Sequence, residues 1–412
     1  MAIPWTEQFA ERTRSIKSST IRELLKVTQR PEIISFAGGL PAPELFPTER
    51  FQEACSKVLT KNSGNALQYG ATEGYTPLRQ LIAKKLADAG IRATIENVVI
   101  TAGSQQALDL IGKLLIDNED RVLVEAPTYL GALQAFNVYG ARYVSVPIDD
   151  DGLRTDLVEA VVQSQPKFMY ILPNFQNPGG VTLTEGRRHE LVMLSDRYFV
   201  PIVEDDPYGA LRYEGEALPS LLSIDQQNHR RDEDPFANVI QLGTFSKTLA
   251  PGLRLGWIVA APEVISKLVQ LKQGADLHTS TFNQVVAFEV ARDGFLEEHI
   301  EHIRTVYRER RDVMLDALQE FFPAEVTWTR PEGGLFLWVT LPEGINSQRL
   351  FDMALSENVA FVPGDPFFAN ADNGRHLRLN FSNADPAHIR EGIRRLARAV
   401  RSVMESRAPV VA

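Results

Sequence analysis

The chain has 412 residues, enough for two domains and a sizeable core, with 44% hydrophobic and 23% charged residues, an ordinary globular composition. Asp and Glu number 53 against 43 Lys and Arg, and the net charge of −10 offers nothing to nucleic acid or an anionic membrane surface. No apolar run approaches the ~20 residues of a membrane span; the single cysteine, Cys55, rules out an internal disulfide and makes the cytoplasm the simplest compartment.

The N-terminal stretch carries Arg12, Arg14 and Lys17, but Glu7, Glu11 and Glu23 interrupt it and no apolar signal core follows, so it is expected to belong to the mature protein. Cys55 lies in the helical pattern Phe51, Ala54, Val58, Leu59 and is expected to fill core space. From about residue 65 to 275, short apolar runs alternate with helical patterns. Val98–Thr101 is predicted as a buried strand and Ser104–Ile116 as a helix with an apolar stripe of Ala107, Leu108, Leu110, Ile111, Leu114 and Leu115. Further strands are predicted at Val122–Val124, Phe168–Leu172, Pro201–Val203, Val239–Leu242 and Gly256–Ala260, with helices near Leu130–Tyr139 and Thr184–Tyr198. Such alternation implies an α/β fold, a mostly parallel sheet covered by helices, with the ligand at the carboxyl ends of the strands.

Gln226–Asp234 is polar and turn-like, hence a surface loop. A long charged helix is predicted over roughly 296–320, strands at Leu335–Leu341 and His376–Phe381, and a basic helix from about 386 to 405, together a smaller α+β domain. The expected organisation is an N-terminal arm (1–45) packing on the small domain, a large domain (46–290) and a small C-terminal domain (291–412). His299 and His302 share a helical face, but no further histidine or cysteine pair completes a ligand set, so no metal is expected.

Each polar cluster follows a strand run. Lys247 stands in Gly243–Trp257 among hydroxyls (Thr244, Ser246), with Arg254 seven positions on. Hydroxyls and a guanidinium suit a phosphate, and a lysine beside a phosphate site is what covalent attachment of pyridoxal phosphate requires. Thr101–Gln106 joins a strand to a helix; a phosphate suits the free N–H groups there, the Ser104 hydroxyl and the Gln105 amide, and so does a plain serine cap. Asp205, just off a buried strand, wants a cationic partner such as a protonated pyridine nitrogen, and Tyr208 follows one turn later. Asn177 lies in the turn Asn174–Gly180, and its amide suits a ring oxygen or a carboxylate. Tyr129 is placed either to stack on a cofactor or to pack. Arg378 alternates with Leu377 and Leu379, which leaves it as a carboxylate clamp or a solvated arginine.

In this order and spacing the clusters resemble the fold-type I pyridoxal phosphate aminotransferases over essentially the whole chain, and within them the branch of 2-aminoadipate, kynurenine and aromatic aminotransferases. Ser19–Lys26, Ser35–Pro41, Leu67–Gly70 and Asp276–Thr279 are similar to that branch. The resemblance implies a large domain with a mostly parallel seven-stranded sheet. It implies Lys247 as the cofactor-bearing lysine and proton shuttle, Asp205 on the pyridine nitrogen, and Tyr208 and Asn177 on the ring oxygen. Ser104, Gln105, Thr244, Ser246 and Arg254 would hold the phosphate, and Tyr69 would reach the phosphate of the neighbouring subunit in a homodimer with shared sites. Arg378, Asn177 and the Gly39 backbone would hold the substrate α-carboxylate, with Arg22 on an acidic side chain. Two departures stand out: the usual Asn-Pro-Thr-Gly is Asn177-Pro178-Gly179-Gly180, and a serine common three before the lysine is Thr244.

The expected reaction is ping-pong transamination between an L-amino acid, 2-aminoadipate or glutamate first, and a 2-oxo acid such as 2-oxoglutarate. Aromatic, branched-chain or alanine donors come next, with Arg22 swung away and Leu40 and Phe36 as apolar lining; otherwise Arg22 is a solvated helix residue. A lyase or decarboxylase on the same fold is the rival enzyme class. A fused transcription regulator needs a DNA-binding domain ahead of Pro41, for which the roughly 40 preceding residues are too few.

Overall fold

The computed structural model describes residues 3–13, 16, 30–229, 236–370 and 374–406. Arg22, expected on an acidic side chain, therefore lies outside the described residues. In chain order the strands are β1 (Ile34–Ser35), β2 (Val98–Thr101), β3 (Arg121–Ala126), β4 (Arg142–Asp149), β5 (Gly152–Leu153), β6 (Phe168–Ile171), β7 (Ile202–Asp205), β8 (Val239–Thr244), β9 (Gly256–Val259), β10 (Thr327–Trp328), β11 (Phe336–Thr340), β12 (Val359–Ala360), β13 (Val362–Pro363) and β14 (His376–Asn380).

The large sheet has the order β2-β9-β8-β7-β6-β3-β4-β5. Strands β8, β7, β6, β3 and β4 pair in parallel, and β9 runs antiparallel between β2 and β8. The expected seven strands are those of four to eight residues. The eighth, β5, is a two-residue strand folded back on β4. Sequence reasoning passed over β4: it lies next to the end of the sheet, is mostly half-exposed and carries Pro147, so it lacks the apolar run of the inner strands.

Period-two alternation explains why the sheet is covered on both faces. Leu123, Met169, Ile171 and Ile202 point into one core, shared with the helices Thr48–Lys61, Glu185–Tyr198 and Thr281–Ala291. Val122, Val124, Phe168, Tyr170 and Val203 point into the other, against the apolar stripe of helix Ser104–Leu115. Cys55 is partly buried against the first core. The polar stretch expected as a loop begins inside a helix instead, Leu221–Asn228, where Gln226 is buried and its amide bonds the backbone of Arg92 in both directions.

A second sheet, antiparallel with the order β10-β11-β14-β13, packs with helices Phe295–Phe321 and Pro386–Glu405 around its own core. The early chain joins this core: β1 pairs in parallel with β12, and Phe36 is fully buried there. Helix Phe295–Phe321 serves both cores, with Leu296 and Ile300 in the first and Ile303, Tyr307, Met314 and Leu318 in the second. His299 is buried with its ring stacked on Phe295, at 5.6 Å between centroids, while His302 is exposed.

Arg188 ties helix Glu185–Tyr198 to the loop that carries Asn177. The side chain is wholly buried, and its guanidinium donates to the carbonyls of Leu183, Pro219 and Pro173 and to Asn174 Oδ1 at 2.7–3.0 Å. Arg188→Leu would remove the guanidinium donors from Leu183 O, Pro219 O and Asn174 Oδ1 and leave Pro173 O only its Leu183 N–H, each lost bond costing about 1–3 kcal/mol where water cannot reach. The expected result is a thermal unfolding midpoint lower by roughly 5 °C in scanning calorimetry; an unchanged midpoint would remove Arg188 as a support of that loop.

Candidate active site

Apart from Tyr69, Arg378 and Gly39, the predicted polar clusters leave the carboxyl ends of large-sheet strands, where a parallel sheet presents helix N-termini and loops rather than side-by-side ladder bonds. Strand β7 ends at Asp205, β8 at Thr244, β2 at Thr101 and β3 at Ala126, while the Asn174–Gly180 loop follows β6. Arg378 comes from the other direction, on β14 of the small sheet, and Gly39 from the early chain after β1.

Asp205 is 2% exposed. Its Oδ2 accepts from the Tyr170 hydroxyl at 2.7 Å, and its Oδ1 is buried with no partner. Burial pushes its carboxyl up to about 7, opposed by the Tyr170 hydrogen bond and helped by the neighbouring Asp206. A carboxylate with one oxygen satisfied and one orphaned is set up for a donor that brings a positive charge.

Lys247 donates through Nζ to the Gly39 carbonyl at 2.8 Å. Loss of hydration lowers its amine to about 8, and the nearby Arg378 and Arg254 guanidiniums add to the effect. A neutral amine is the form that attacks a carbonyl carbon, so this environment activates it.

Arg378 is 2% exposed, and its burial overturns the solvated reading. Its Nη1 donates to Asn177 Oδ1 at 2.8 Å and its Nη2 to the Ala37 carbonyl at 2.9 Å, while Nε is buried without a partner. The guanidinium lies over the rings of Phe336 and Phe367, at 4.1 and 4.9 Å from their centroids. No carboxylate pairs with it among the described residues, and desolvation draws its pKa down to about 10. Asn177 Nδ2 in turn donates to the Tyr208 hydroxyl at 3.5 Å. Lys247, residues 37–39, Arg378, Asn177 and Tyr208 thus form one connected group drawn from both sheets and the early chain.

The helix Ser104–Leu115 opens without a side-chain cap, because Gly103 precedes it at φ +83°. The Ser104 hydroxyl is buried with no partner. Gln105 Nε2 donates to the Gly131 carbonyl at 2.8 Å, so the backbone N–H rather than the side chain faces the helix start. A Cβ on Gly103 would stand 2.6 Å from Arg254 Nη2, which brings that guanidinium directly against the turn. Thr244 Oγ1 donates to the Leu255 carbonyl at 2.9 Å and accepts from Ser246 N at 3.1 Å, with Ser246 Oγ 2.9 Å away. Tyr129 is half-buried, its ring folded over Gly131, where a Cβ would meet it at 2.4 Å. Burial raises its hydroxyl, with Asp205 adding to the rise and Arg378 and Arg254 opposing it.

The Gly-Gly sequence after Pro178 does not leave its loop slack. Gln176 accepts from Gly179 N through Oε1 at 2.7 Å and donates through Nε2 to the Pro127 carbonyl at 2.7 Å. Its backbone bonds with Val181 and Gly180 close the turn. Tyr69 stands apart from this group: it is 78% exposed, its ring edge-on to His278 at 5.8 Å. Sequence reasoning missed Tyr170, Phe336, Phe367 and Gln176. Tyr170 had a signal, since a hydroxyl inside the apolar run Phe168–Leu172 needs a partner; the others are decided by contacts between distant segments. Among the described residues, the His and acidic groups close enough to share an ion are Asp196, Asp225 and His229, and there the imidazole bridges the two carboxylates at 3.2 and 3.4 Å.

Pyridoxal phosphate fits this donor set: a lowered amine, an orphaned buried carboxylate oxygen, an orphaned hydroxyl at an uncapped helix start and a guanidinium against the same turn. Comparison with known proteins agrees. The family described as "Aminotransferase class I and II" matches residues 40–396. A 2-aminoadipate transaminase of Thermus thermophilus is 49% identical over 98% of this chain and 98% of its own length. An aromatic-amino-acid aminotransferase of Thermococcus litoralis is 46% identical over 98% of this chain and 96% of its own. The crystal structure of an α-aminoadipate aminotransferase from Thermus thermophilus, complexed with N-(5'-phosphopyridoxyl)-L-leucine, matches at a TM-score of 0.91 and 45% identity, covering 98% of this chain and 100% of that one. The chain belongs to the class I and II aminotransferase family and is a fold-type I, pyridoxal phosphate-dependent aminotransferase.

Proposed function

We propose that the amino donors are L-amino acids of the 2-aminoadipate and glutamate type, with aromatic, branched-chain and alanine donors accepted less well, and that 2-oxoglutarate is the acceptor. The carrying observation is Arg378, a buried guanidinium with an orphaned Nε and no carboxylate partner among the described residues. Such a cation is compensated by an anion arriving with the substrate, and the α-carboxylate common to both substrates supplies it. The preference for a second carboxylate rests on Arg22, on the similarity of residues 19–26 and 35–41 to the branch named above, and on the 2-aminoadipate transaminase at 49% identity.

In this reading the side chains divide the work, with Asn177 serving both ring and carboxylate and Lys247 both anchoring the cofactor and moving the proton. Bound pyridoxal phosphate supplies an electron sink for the charge left at the substrate Cα when its proton departs. Lys247 holds the cofactor covalently at rest, and its freed Nζ then takes the Cα proton and delivers it onward as general base and acid. Asp205 Oδ1 would accept a hydrogen bond from the protonated ring nitrogen, and Tyr170 keeps the carboxylate oriented through Oδ2. Tyr208 and Asn177 donate to the ring oxygen, and Tyr129 covers the ring. Ser104, Gln105, Thr244, Ser246 and Arg254 seat the phosphate at the helix N-terminus. Arg378, Asn177 and the backbone at Gly39 fix the α-carboxylate, which favours proton loss over decarboxylation. Tyr69, exposed in one chain, reaches the phosphate of a second copy in a cytoplasmic homodimer with shared sites. The arm, large and small domains divide the chain at about residues 45 and 290.

Three outcomes are expected. Lys247→Ala loses turnover by at least about a thousandfold together with the visible chromophore attached to the protein; a variant that kept both would overturn its assignment. In the cofactor-free enzyme, the stopped-flow rate of covalent cofactor capture climbs with pH while the Lys247 amine loses its proton and levels off above about 8. A rate that still climbs to pH 10 would mean an ordinary, unactivated lysine. With 2-oxoglutarate as acceptor, a panel of donors gives the highest kcat/KM for 2-aminoadipate or glutamate, and Arg22→Ala lowers it about tenfold for acidic donors only; an Arg22→Ala enzyme unaltered on acidic donors would end the dicarboxylate preference.

A further inference from the structure

The turn Ala102–Ser104 is braced from behind by three side chains that carry no task so far. Gln106 Oε1 accepts from Ala102 N at 2.7 Å, and Gln106 Nε2 donates to Asp276 Oδ2 at 2.7 Å. Both Asp276 oxygens take Lys272 Nζ, at 2.6 and 2.7 Å. Lys272 sits near the end of helix Pro262–Gln273 with its side chain 0% exposed, and Asp276 reaches back to it from the following turn. A lysine stripped of its water needs a paired anion, and Asp276, itself at the surface, supplies it. Through Gln106 its geometry is passed to one peptide group.

Ala102, held at its N–H, leads directly into the turn. Gly103 adopts a φ of +83°, a conformation open to glycine and held only by its surroundings. The Ala102 N–H is held by Gln106, and the Ala102 carbonyl faces Arg254 Nη2 at 3.5 Å. Freed from Gln106, Ala102 could change its backbone dihedrals, which would turn the following Ala102–Gly103 peptide, redirect the first free N–H groups of helix Ser104–Leu115 and shift the carbonyl that faces Arg254. Asp276 has a second consequence. An uncompensated carboxylate linked to this turn would repel an arriving phosphate, and Lys272 cancels its charge.

We propose that Lys272, Asp276 and Gln106 are positioning residues that set the affinity of the Ala102–Ser104 turn for the cofactor phosphate. The inference rests on the reading of that turn as the phosphate seat.

The test titrates the cofactor-free enzyme with pyridoxal phosphate, with pyridoxal lacking the phosphate, and with inorganic phosphate as competitor. Folded Gln106→Leu is expected to bind pyridoxal phosphate and inorganic phosphate about tenfold more weakly, the equivalent of one lost hydrogen bond, with pyridoxal unaffected. Lys272→Met is expected to weaken both further, and adding Asp276→Asn to recover part of that loss by removing the stranded charge. Should Lys272→Met fail to fold, Gln106→Leu decides alone. Wild-type phosphate affinity in Gln106→Leu, or an equal loss for pyridoxal, overturns the proposal. Ser104→Ala separates the two readings: if it weakens phosphate while Gln106→Leu does not, only the brace falls; if neither does, the phosphate seat falls with it.

Discussion

Incomplete compensation of buried charge is the constraint on which the site depends. Asp205 and Arg378 are out of water and Lys247 is half-buried, yet none is paired with an opposite charge among the described residues. Each orphaned polar atom costs about 1–3 kcal/mol in the folded chain. A bound cofactor and substrate with a cationic ring nitrogen, a carbonyl carbon and a carboxylate remove these costs one by one. The same arrangement that is unfavourable when empty is therefore what selects its occupants.

Keeping such groups apart demands a rigid frame. The large sheet supplies it by ending five strands along one edge, so that Asp205, Thr244 and the turns after β2, β3 and β6 have positions fixed by strand register rather than by loop conformation. Tyr170 illustrates the coupling. It lies on β6, in register with Val203 of β7, and its hydroxyl reaches the carboxylate at the end of β7. A slip of one residue would turn it to the opposite core.

The substrate side is built differently. Arg378 belongs to the small sheet, Asn177 to a loop of the large one, and Ala37 and Gly39 to the early chain that adds β1 beside β12. Three segments distant in sequence must meet for one guanidinium to be held. Gln176 and Arg188 stiffen the loop that carries Asn177, and Phe336 and Phe367 bracket the guanidinium itself. The carboxylate fork is therefore only as well defined as the packing between these segments.

Local features were legible in the residues alone. Apolar runs and helical stripes identified six of the seven long strands and the helices flanking Ser104, Glu185 and Pro386, because inner parallel strands are apolar on both faces and amphipathic helices repeat every 3.6 residues. The same reading singled out Lys247, Asp205, Tyr208, Asn177 and Ser104, whose residue types are costly at strand ends unless they have work to do. It did not reveal β4, half-exposed and interrupted by Pro147, nor choose between a clamp and a solvated surface for Arg378. Three-dimensional packing settled those points, and it alone brought Tyr170 to Asp205, Gln176 to Pro127, and Lys272 through Asp276 and Gln106 to Ala102. The links that join distant segments share one physical reason. A hydrogen bond or ion pair between segments dozens to hundreds of residues apart leaves no periodic trace, since either partner alone is compatible with solvent.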